Sequence, residues 1–364
     1  MKIKYLLKEG IHLYPPCLSQ ILSLKDLGVN IEVYHGITDK NTIKILESHD
    51  IIHYELYKHE IKSNNGLALK IKRWISYRAK ALEIMKKNNN HEILWFGTAD
   101  SAIAVYDKLK NKKYVLNILE LYDKNKFYKK YLGKIVDGAK AIICCEYNRA
   151  NIMKSWWNLK KVPYVIPNKP YLINIDEKQE KEEITNQIKN KKVILYQGMI
   201  AGDRSLINLA KALNNINDKQ YWLVLMGNNY NNSVEKIKHI YKNTIYLGYI
   251  AAPTHLLYTK YAYMGVANYD YSCLNNIFCA PNKIYEYTGF GIPVLCNDVP
   301  GLHYTIGKTL AGKCVDFNSV SKIEQGIKEI EDNYMEFSKN ATTFYESTDN
   351  IKTYKEILKD LGET

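Results

Sequence analysis

Short apolar runs separated by longer amphipathic stretches recur along the whole of this sequence. In the first half they occupy residues 3–7, 31–33, 51–54, 93–96, 114–118 and 141–144. In the second half they occupy residues 193–197, 221–226, 244–247, 263–266, 293–296 and 312–315. A parallel strand is buried on both faces and needs a helical crossover to reach the next. The rhythm therefore predicts an α/β fold with two doubly wound, Rossmann-like sheets.

A connector with two prolines separates the two halves. The chain of 364 residues exceeds the usual size of one domain, and Pro167 and Pro170 disfavour helix at this point. We predict an N-terminal domain at residues 1–167 and a C-terminal domain at residues 168–345, facing each other across a cleft. Residues 346–364 carry an apolar stripe at helical spacing, which predicts a last helix that crosses back to the N-terminal domain.

Positive charge is concentrated in the first half. Residues 1–170 hold 30 Lys and Arg against 16 Asp and Glu, a net charge of +14, whereas residues 171–364 hold 21 against 22. An anionic bilayer attracts each nearby basic residue by about 1 kcal/mol. A membrane surface, a nucleic acid or an anionic substrate would each suit this charge. The basic amphipathic pattern at residues 67–87 suits either a helix on a bilayer or one that packs its apolar stripe inward.

Several motifs are absent from the sequence. The N-terminus lacks the apolar run of a signal peptide or membrane span, so we expect a cytoplasmic protein. Peripheral contact with the inner face of the cell membrane is compatible with this expectation. The seven cysteines show no Cys-x-x-Cys pair and no zinc spacing. The chain also has no G-x-x-x-x-G-K-[ST] phosphate loop and no Asp-x-Asp triplet. We expect neither P-loop chemistry nor a required metal.

The most informative segment spans residues 279–295. Pro281 opens a predicted helix at residues 282–289 that ends in glycines before a buried strand. N–H groups at the helix start favour phosphate, Lys283 adds a cation, and Glu286 one turn later can accept two ribose hydroxyls. These parts suit a nucleotide diphosphate, although a solvent-exposed ion pair on a surface helix would also explain Lys283 and Glu286.

This segment resembles the group 1 glycosyltransferases of family 4, whose C-terminal domains carry a similar Pro-Asn-Lys-x-x-Glu-Tyr-x-x-x-Gly-x-Pro-Val signature, here residues 281–294. The resemblance implies the two-domain GT-B fold and a nucleotide-sugar donor. It implies that Glu286 binds the donor ribose and that Asn282 and Lys283 lie beside the diphosphate and the sugar.

A second match begins the C-terminal domain. Residues 195–206 are similar to the family's Tyr-x-Gly…Arg-x-Leu opening, which adds Gly198 and Arg204 to the predicted donor site. Charge-assisted hydrogen bonds to phosphate contribute about 1.5–3 kcal/mol each. We therefore predict that Arg204 and Lys283 stabilise the departing diphosphate and that no metal ion is needed for this. The predicted catalytic residues are Arg204, Lys283 and Glu286.

Weaker matches add three donor-site residues. Residues 247–250 are similar to the segment whose backbone reads the base in this family, which assigns Tyr249 and Ile250 to the donor site. Gly10 lies in the loop after the first strand, where the family admits the donor phosphates and the acceptor. We interpret His12 in that loop as a packing residue in preference to a catalytic base. Asp100 and Glu120 each follow a strand and suit either acceptor contact or a helix cap.

One position departs from the family pattern. Many members carry a Glu-x7-Glu pair, and Phe278 stands where the first glutamate would be. The usual contact to the donor sugar is therefore missing, and the sugar stays open.

We predict an enzyme that moves a sugar from a nucleotide diphosphate sugar, a UDP-sugar before others, to a hydroxyl of a glycan or lipid-linked acceptor. The resemblance implies retention of configuration, and a role in bacterial surface polysaccharide or glycoconjugate synthesis would suit the basic first half. Two alternatives stay open: a sugar-nucleotide epimerase of the same fold, and a non-enzymatic polyanion-binding protein that uses the basic half and some of the 31 tyrosines for stacking.

Overall fold

The computed structural model describes residues 1–57, 67–89, 91–171, 177–202, 205–216 and 220–362. The chain divides into two units. The first unit comprises Met1–Pro167 and Asp349–Thr364, and the second comprises Asn168–Thr348.

A parallel sheet forms the centre of the first unit. Its strands are β1 (Lys2–Leu6), β2 (Asn30–His35), β3 (Ile52–Glu55), β4 (Glu92–Phe96), β5 (Tyr114–Asn117), β6 (Ala141–Cys144) and β7 (Tyr164–Val165). Their order across the sheet is β3-β2-β1-β4-β5-β6-β7, and each neighbouring pair is parallel. The strand order therefore reverses between β1 and β4, and ligands of open α/β sheets bind at the carboxyl ends of strands at such a point.

Helices connect these strands. They are α1 (Pro15–Asp26), α2 (Lys40–Ser48), α3 (Leu67–Lys86), α4 (Ala99–Ile103), α5 (Lys126–Gly133) and α6 (Tyr147–Trp157). The basic helix α3 buries Tyr77, Ala81 and Met85, which recur every four residues. It therefore packs an apolar stripe inward, while Ile71 and Ile75 stay 51% and 60% exposed.

The second unit repeats the same plan. Its strands are β8 (Lys192–Gln197), β9 (Tyr221–Met226), β10 (Thr244–Gly248), β11 (Ala262–Ala267), β12 (Val294–Asn297) and β13 (Gly312–Val315). Its helices are α7 (Glu182–Ile188), α8 (Ile207–Ile216), α9 (Ser233–Ile240), α10 (Leu256–Thr259), α11 (Leu274–Ile277), α12 (Asn282–Thr288), α13 (Pro300–Leu302), α14 (Val320–Asp332) and α15 (Tyr334–Ser347). The parallel sheet has the order β10-β9-β8-β11-β12-β13, so its switch point lies between β8 and β11.

Alternate residues of the central strand β8 enter two different cores. Val193 and Leu195 pack in one buried cluster, whereas Ile194 and Tyr196 pack in another. Successive side chains of a strand point to opposite faces, so the second sheet is covered on both sides. This explains why its strands appear in the sequence as continuous apolar runs, and the two sheets confirm the predicted α/β class.

The last helix, α16 (Asn350–Asp360), belongs to the first unit. Tyr354 and Ile357 are buried in that unit, and Asp360 accepts hydrogen bonds from Tyr164 Oη at 2.6 Å and Lys161 Nζ at 3.1 Å. The predicted terminal helix therefore completes the unit formed by the start of the chain. Among the residues that the structure describes, no helix has the length and apolar character needed to cross a bilayer.

Candidate functional site

Glycines meet at the carboxyl edge of the second sheet. Gly198 follows β8 with a φ of 122°, and Gly227 follows β9 with a φ of 146°. The N–H of Gly227 donates to the carbonyl of Gly248 at the end of β10, over 2.8 Å. A Cβ at Gly227 would lie 1.8 Å from the carbonyl oxygen of Gly198, so only glycine permits this approach. The three chain segments therefore pack closely at this edge, and Gly198 is the exposed member of the three.

Helix α12 presents its polar side chains to this edge. It begins directly after Pro281, as the sequence predicts, and its residue Tyr287 is fully buried. The Tyr287 hydroxyl accepts a hydrogen bond from the N–H of Gln197 at 3.1 Å and donates to the Leu195 carbonyl at 3.0 Å. This tyrosine ties α12 to β8, so side chains on the adjacent turns of the helix are held beside the end of the strand.

Glu286 is buried, with 7% of its surface exposed. Its Oε1 lies 3.2 Å from His255 Nε2, and its Oε2 accepts a hydrogen bond from the side-chain amide of Gln197. The interpretation of Lys283 and Glu286 as a surface ion pair was wrong, because both side chains are buried. A carboxylate oxygen can accept more than one hydrogen bond. The two contacts therefore fix the orientation of Glu286 and leave acceptor capacity on both oxygens.

The carboxyl of Glu286 stays ionised at neutral pH. Burial alone would raise its pKa, but His255, the amide of Gln197 and the charge of Lys283 together lower the pKa below its ordinary value. An ionised carboxylate is a stronger acceptor for hydroxyl donors than a neutral acid. Glu286 is therefore prepared to accept hydrogen bonds from a polar ligand.

Three buried side chains of this network, Gln197, His255 and Thr259, were not predicted as site residues from the sequence. The hydroxyl of Thr259 lies 2.9 Å from the side-chain carbonyl of Gln197 and 3.1 Å from the His255 carbonyl, and its one proton is shared between these two acceptors. Nδ1 of His255 is buried without a hydrogen-bond partner among the described residues. Gln197 ends β8 and is an amide at a carboxyl edge, which is the signal that would have identified it from sequence.

Lys283 lies one turn before Glu286 and is also buried. Its Nζ stands 4.0 Å from the ring centre of Tyr196 and 5.7 Å from that of Tyr269. A Cβ at Gly198 would lie 3.1 Å from this Nζ, so the ammonium group sits against the glycine turn after β8. Cation–π contacts hold the ammonium group in an apolar setting, where its field is less screened than in water.

The other predicted residues of this unit lie around the same edge. Asn282 is the first residue of α12 and is half-buried, Ile250 packs against the core, and Tyr249 is 58% exposed. Arg204 lies outside the described residues. The backbone that follows it is held by Asn268, whose side-chain amide donates to the Ser205 carbonyl at 2.7 Å.

The loop before α12 has its own supports. The side chain of Asn168 donates to the Ala280 carbonyl at 2.7 Å, and Asp270 accepts from Asn276 at 2.7 Å. Phe278, which replaces the glutamate of the family pattern, is half-buried at the end of α11. An aromatic ring therefore occupies the position of the missing carboxylate.

The first unit carries a separate polar cluster at the carboxyl edge between β1 and β4. Lys8 Nζ lies 2.6 Å from Glu9 Oε1 and 3.0 Å from Asp100 Oδ2, and these charges raise its pKa above the ordinary value although burial opposes them. Thr98 donates to Asp100 at 2.5 Å. Asp100 is therefore an ion-pair partner within the cluster and does not act only as a helix cap.

Gly10 adjoins this cluster in the first unit. It is buried after β1, and a Cβ there would lie 2.1 Å from the Ile37 carbonyl. His12 accepts a hydrogen bond from the Asp39 N–H at 3.3 Å, which fits its interpretation as a packing residue. Glu120 is more than half exposed and lies 3.6 Å from the buried Arg149.

Within the described ranges, no group of three or more His, Cys, Asp or Glu side chains is arranged to hold a metal ion. The charges at both edges come from lysine, glutamate and aspartate side chains. The second unit offers an oriented carboxylate at Glu286, a held ammonium group at Lys283 and the exposed turn at Gly198. Such groups suit hydroxyls and phosphates.

Comparisons with solved structures identify the fold. Anabaena HepE in complex with UDP and glucose is 13% identical, with 99% of each chain covered and a TM-score of 0.70. A glycosyltransferase from Rickettsia africae is 14% identical over 100% of this chain and 99% of its own, with a TM-score of 0.67. A putative UDP-N-acetylglucosamine 2-epimerase from Listeria monocytogenes is 12% identical over 100% and 97%, with a TM-score of 0.64. The fold is thus that of the GT-B glycosyltransferases.

A comparison with family models finds a match in the second unit. Residues 177–344 match the family described as glycosyl transferases group 1. This stretch covers most of the second unit, so the second unit is similar to the group 1 glycosyl transferases. A comparison with curated proteins gives no match.

Proposed function

We propose that this chain transfers a sugar from a nucleotide diphosphate sugar, most readily a UDP-sugar, to a hydroxyl of a glycan or lipid-linked acceptor. The observation that carries the proposal is the buried, ionised carboxylate of Glu286, held by His255 and Gln197 at the carboxyl edge of the second sheet. Its remaining acceptor capacity suits the two hydroxyls of a ribose.

Lys283 supports the diphosphate part of the donor. Its ammonium group lies one helical turn from Glu286 and against the turn at Gly198, where backbone is exposed. A ribose on the carboxylate would bring the phosphates of the same nucleotide toward this cation. A UDP moiety therefore suits the pair, and the solved HepE structures are complexes with UDP, UDP-glucose, or UDP and glucose.

Cleavage of the bond between the sugar and the diphosphate places negative charge on the departing phosphate. We assign the stabilisation of that charge to Lys283 and Arg204, which replace a metal ion in this proposal. Each charge-assisted hydrogen bond contributes about 1.5–3 kcal/mol. We further propose that the transfer retains the configuration of the sugar. A retaining transfer of this kind requires no basic side chain of the protein to activate the acceptor.

The polar cluster of the first unit is our candidate for contact with the acceptor. Its charges come from Lys8, Glu9 and Asp100. Tyr122 and Tyr128 of the same unit stack with their ring centres 4.6 Å apart. Burial first, and the charge of Asp100 after it, raise the pKa of both phenols, so the charge of Asp100 acts on both rings. Aromatic side chains beside a few placed polar groups are typical of small-molecule sites.

Because the first half is positively charged, we propose that the acceptor is lipid-linked or otherwise anionic, as in the assembly of bacterial surface polysaccharides. Residues 1–170 carry a net charge of +14. Anionic lipid attracts basic surfaces within a Debye length. Partitioning onto vesicles should therefore rise when phosphatidylglycerol is added to phosphatidylcholine, and unchanged partitioning would remove the membrane part of the proposal.

Calorimetric titration with a panel of UDP-, GDP- and CDP-sugars tests the donor assignment. We expect one donor class to bind saturably in the presence of EDTA and to bind Glu286→Ala much more weakly. Glu346→Ala, an exposed change in the same unit, should leave binding unchanged. Absence of binding by every donor would favour the polyanion-binding alternative, and a requirement for metal would refute the metal-free assignment.

Product analysis separates the transferase from the epimerase alternative. The donor that binds is incubated with and without candidate acceptors, and both sugar nucleotide and glycan are analysed. A transferase releases nucleoside diphosphate in proportion to glycosylated acceptor. Conversion of the donor to a sugar-nucleotide isomer without acceptor would instead establish an epimerase.

A further inference from the structure

A cavity of about 550 Å³ lies in the first unit, away from the polar cluster of Lys8 and Asp100. Tyr114 at the start of β5 lines it, and so does Lys140, which directly precedes β6. The cavity is therefore at the amino edge of the sheet, whereas the polar cluster is at the carboxyl edge. A ligand bound here would not occupy the site proposed for the acceptor.

Lysines dominate the lining of this cavity. We call it the lysine cavity after its cationic residues Lys110, Lys112, Lys113, Lys134 and Lys140. Its lining residues, all within the described part of the chain, include no carboxylate. Like charges held close together repel each other, so this arrangement favours an anionic occupant.

Nearby acidic residues do not cancel this charge. Asp107 is engaged by Arg78, whose two terminal nitrogens donate to its two oxygens at 2.7 and 2.9 Å. Asp137 is exposed and lies outside the lining. The five lysines are therefore the charged residues of the lining itself.

The protein itself positions two of the ammonium groups. Lys112 Nζ donates to the Met85 carbonyl at 3.2 Å. Lys134 Nζ lies 4.9 Å from the ring centre of Tyr131 and 5.3 Å from that of Tyr106. Contacts of this kind reduce the side-chain entropy that lysines lose when they bind an anion.

We propose that the lysine cavity is a second ligand site, which binds a molecule carrying phosphate groups. Its volume falls in the range of small-molecule sites, about 300–1,000 Å³, and exceeds what a single phosphate fills. A phosphate group offers three oxygens and close to two charges, so several ammonium groups can share one ligand. The phosphate belongs either to a soluble molecule or to a lipid headgroup.

The first test titrates the protein with inorganic tripolyphosphate at low salt. The variant Lys110→Gln/Lys113→Gln/Lys140→Gln removes three exposed charges from the cavity. The control Lys322→Gln/Lys328→Gln/Lys339→Gln removes three exposed charges from helices of the second unit. We expect saturable binding whose affinity falls at least tenfold in the cavity variant and less than twofold in the control.

Binding of tripolyphosphate elsewhere, including the proposed donor site, would persist in both variants, so their comparison isolates the cavity. Equal affinity losses in the two variants, or no saturable binding by the unmodified protein, would overturn the proposal. Equal melting temperatures show that the variants are folded.

A second measurement distinguishes the two sources of phosphate. Binding to phosphatidylcholine vesicles with and without phosphatidylglycerol is compared for the same three proteins. Loss of both vesicle and tripolyphosphate binding in the cavity variant alone assigns the site to a lipid headgroup. Loss of tripolyphosphate binding with unchanged vesicle binding assigns it to a soluble phosphate-bearing ligand.

Discussion

Nε2 of His255 lies 3.2 Å from Oε1 of Glu286, and both side chains are buried in the second unit. The histidine directly precedes α10 and the glutamate lies in α12, so the pair connects two helices beside the end of β8. The amide of Gln197 holds the other carboxylate oxygen. Together these contacts fix the plane of the carboxylate before any ligand arrives.

Replacement of Glu286 by glutamine should weaken donor binding by about 10- to 150-fold, which corresponds to one charge-assisted hydrogen bond of about 1.5–3 kcal/mol. Glutamine keeps the shape but presents one oxygen and one NH₂ group, so it cannot accept on both sides. Calorimetric titration gives the affinity. Glu346→Gln in the same unit is the control, and equal affinities of both variants would remove Glu286 from the donor site.

Replacement of His255 by glutamine should raise the pKa of Glu286, because His255 contributes most to lowering it. The group would then protonate at a higher pH as the solution is acidified. Donor affinity measured from pH 7 to pH 4 should therefore begin to fall at a higher pH in His255→Gln than in the unmodified protein. An affinity that is lower by one constant factor at every pH would assign His255 a packing role only.

Replacement of Gly198 by alanine should destabilise the protein by about 1–3 kcal/mol, because φ is 122° there and an added Cβ would lie 3.1 Å from Lys283 Nζ. Urea unfolding measures the change. Gly202→Ala is a matched control in the same loop, since a Cβ there meets nothing within 4 Å. We expect the control to change stability by less than about 0.5 kcal/mol, and a similar loss in both variants would contradict the strain at Gly198.

His35 should make the first unit sensitive to mild acid. It is fully buried at the end of β2, its Nδ1 lies 2.7 Å from the Gly36 carbonyl, and its Nε2 lies 3.2 Å from His53 Nδ1. Burial and the neighbouring His53 lower its pKa to about 4 from an ordinary 6.5, although the Gly36 carbonyl opposes them.

Because the folded pKa is the lower one, the unfolded chain takes up this proton first as the pH falls. The free energy of unfolding should therefore be highest above pH 6.5 and should decline by about 3 kcal/mol as the pH falls to about 4. Urea unfolding at pH 7.5, 6 and 5 measures the slope in this range. His35→Gln should flatten that slope, whereas His91→Gln, an exposed change, should keep it. An unchanged slope in His35→Gln would exclude His35 as its source.

The strands were predictable where burial on both faces leaves an unbroken apolar run. Residues 193–197 and 221–226 were predicted in the second half, and they correspond to β8 and β9 with differences of at most one residue at an end. The short strand β7, Tyr164–Val165, was not predicted because two half-buried residues before Pro167 give no pattern. Local signals likewise placed α12, since Pro281 and the following glycines mark its ends.

The buried network of the site was only partly predictable. Lys283 and Glu286 come from one short segment, and their helical spacing was visible in the sequence. Gln197 and His255 reach Glu286 across 89 and 31 residues of chain, so only the folded sheet brings them together. The exposure of Ile71 and Ile75 on α3 was not predicted either. Apolar residues occur on more than one face of this helix, and their spacing alone does not determine which face is buried.

The placement of α16 in the first unit imposes an order on biosynthesis. The second unit is one uninterrupted stretch of chain, whereas the first unit needs residues that follow it. As the polypeptide leaves the ribosome, the second unit can fold from consecutive residues. The first unit is complete only when Tyr354 and Ile357 of α16 have been made and can bury their side chains in it. Nascent chains should therefore gain protease resistance first in the second unit and in the first unit only after α16 has emerged.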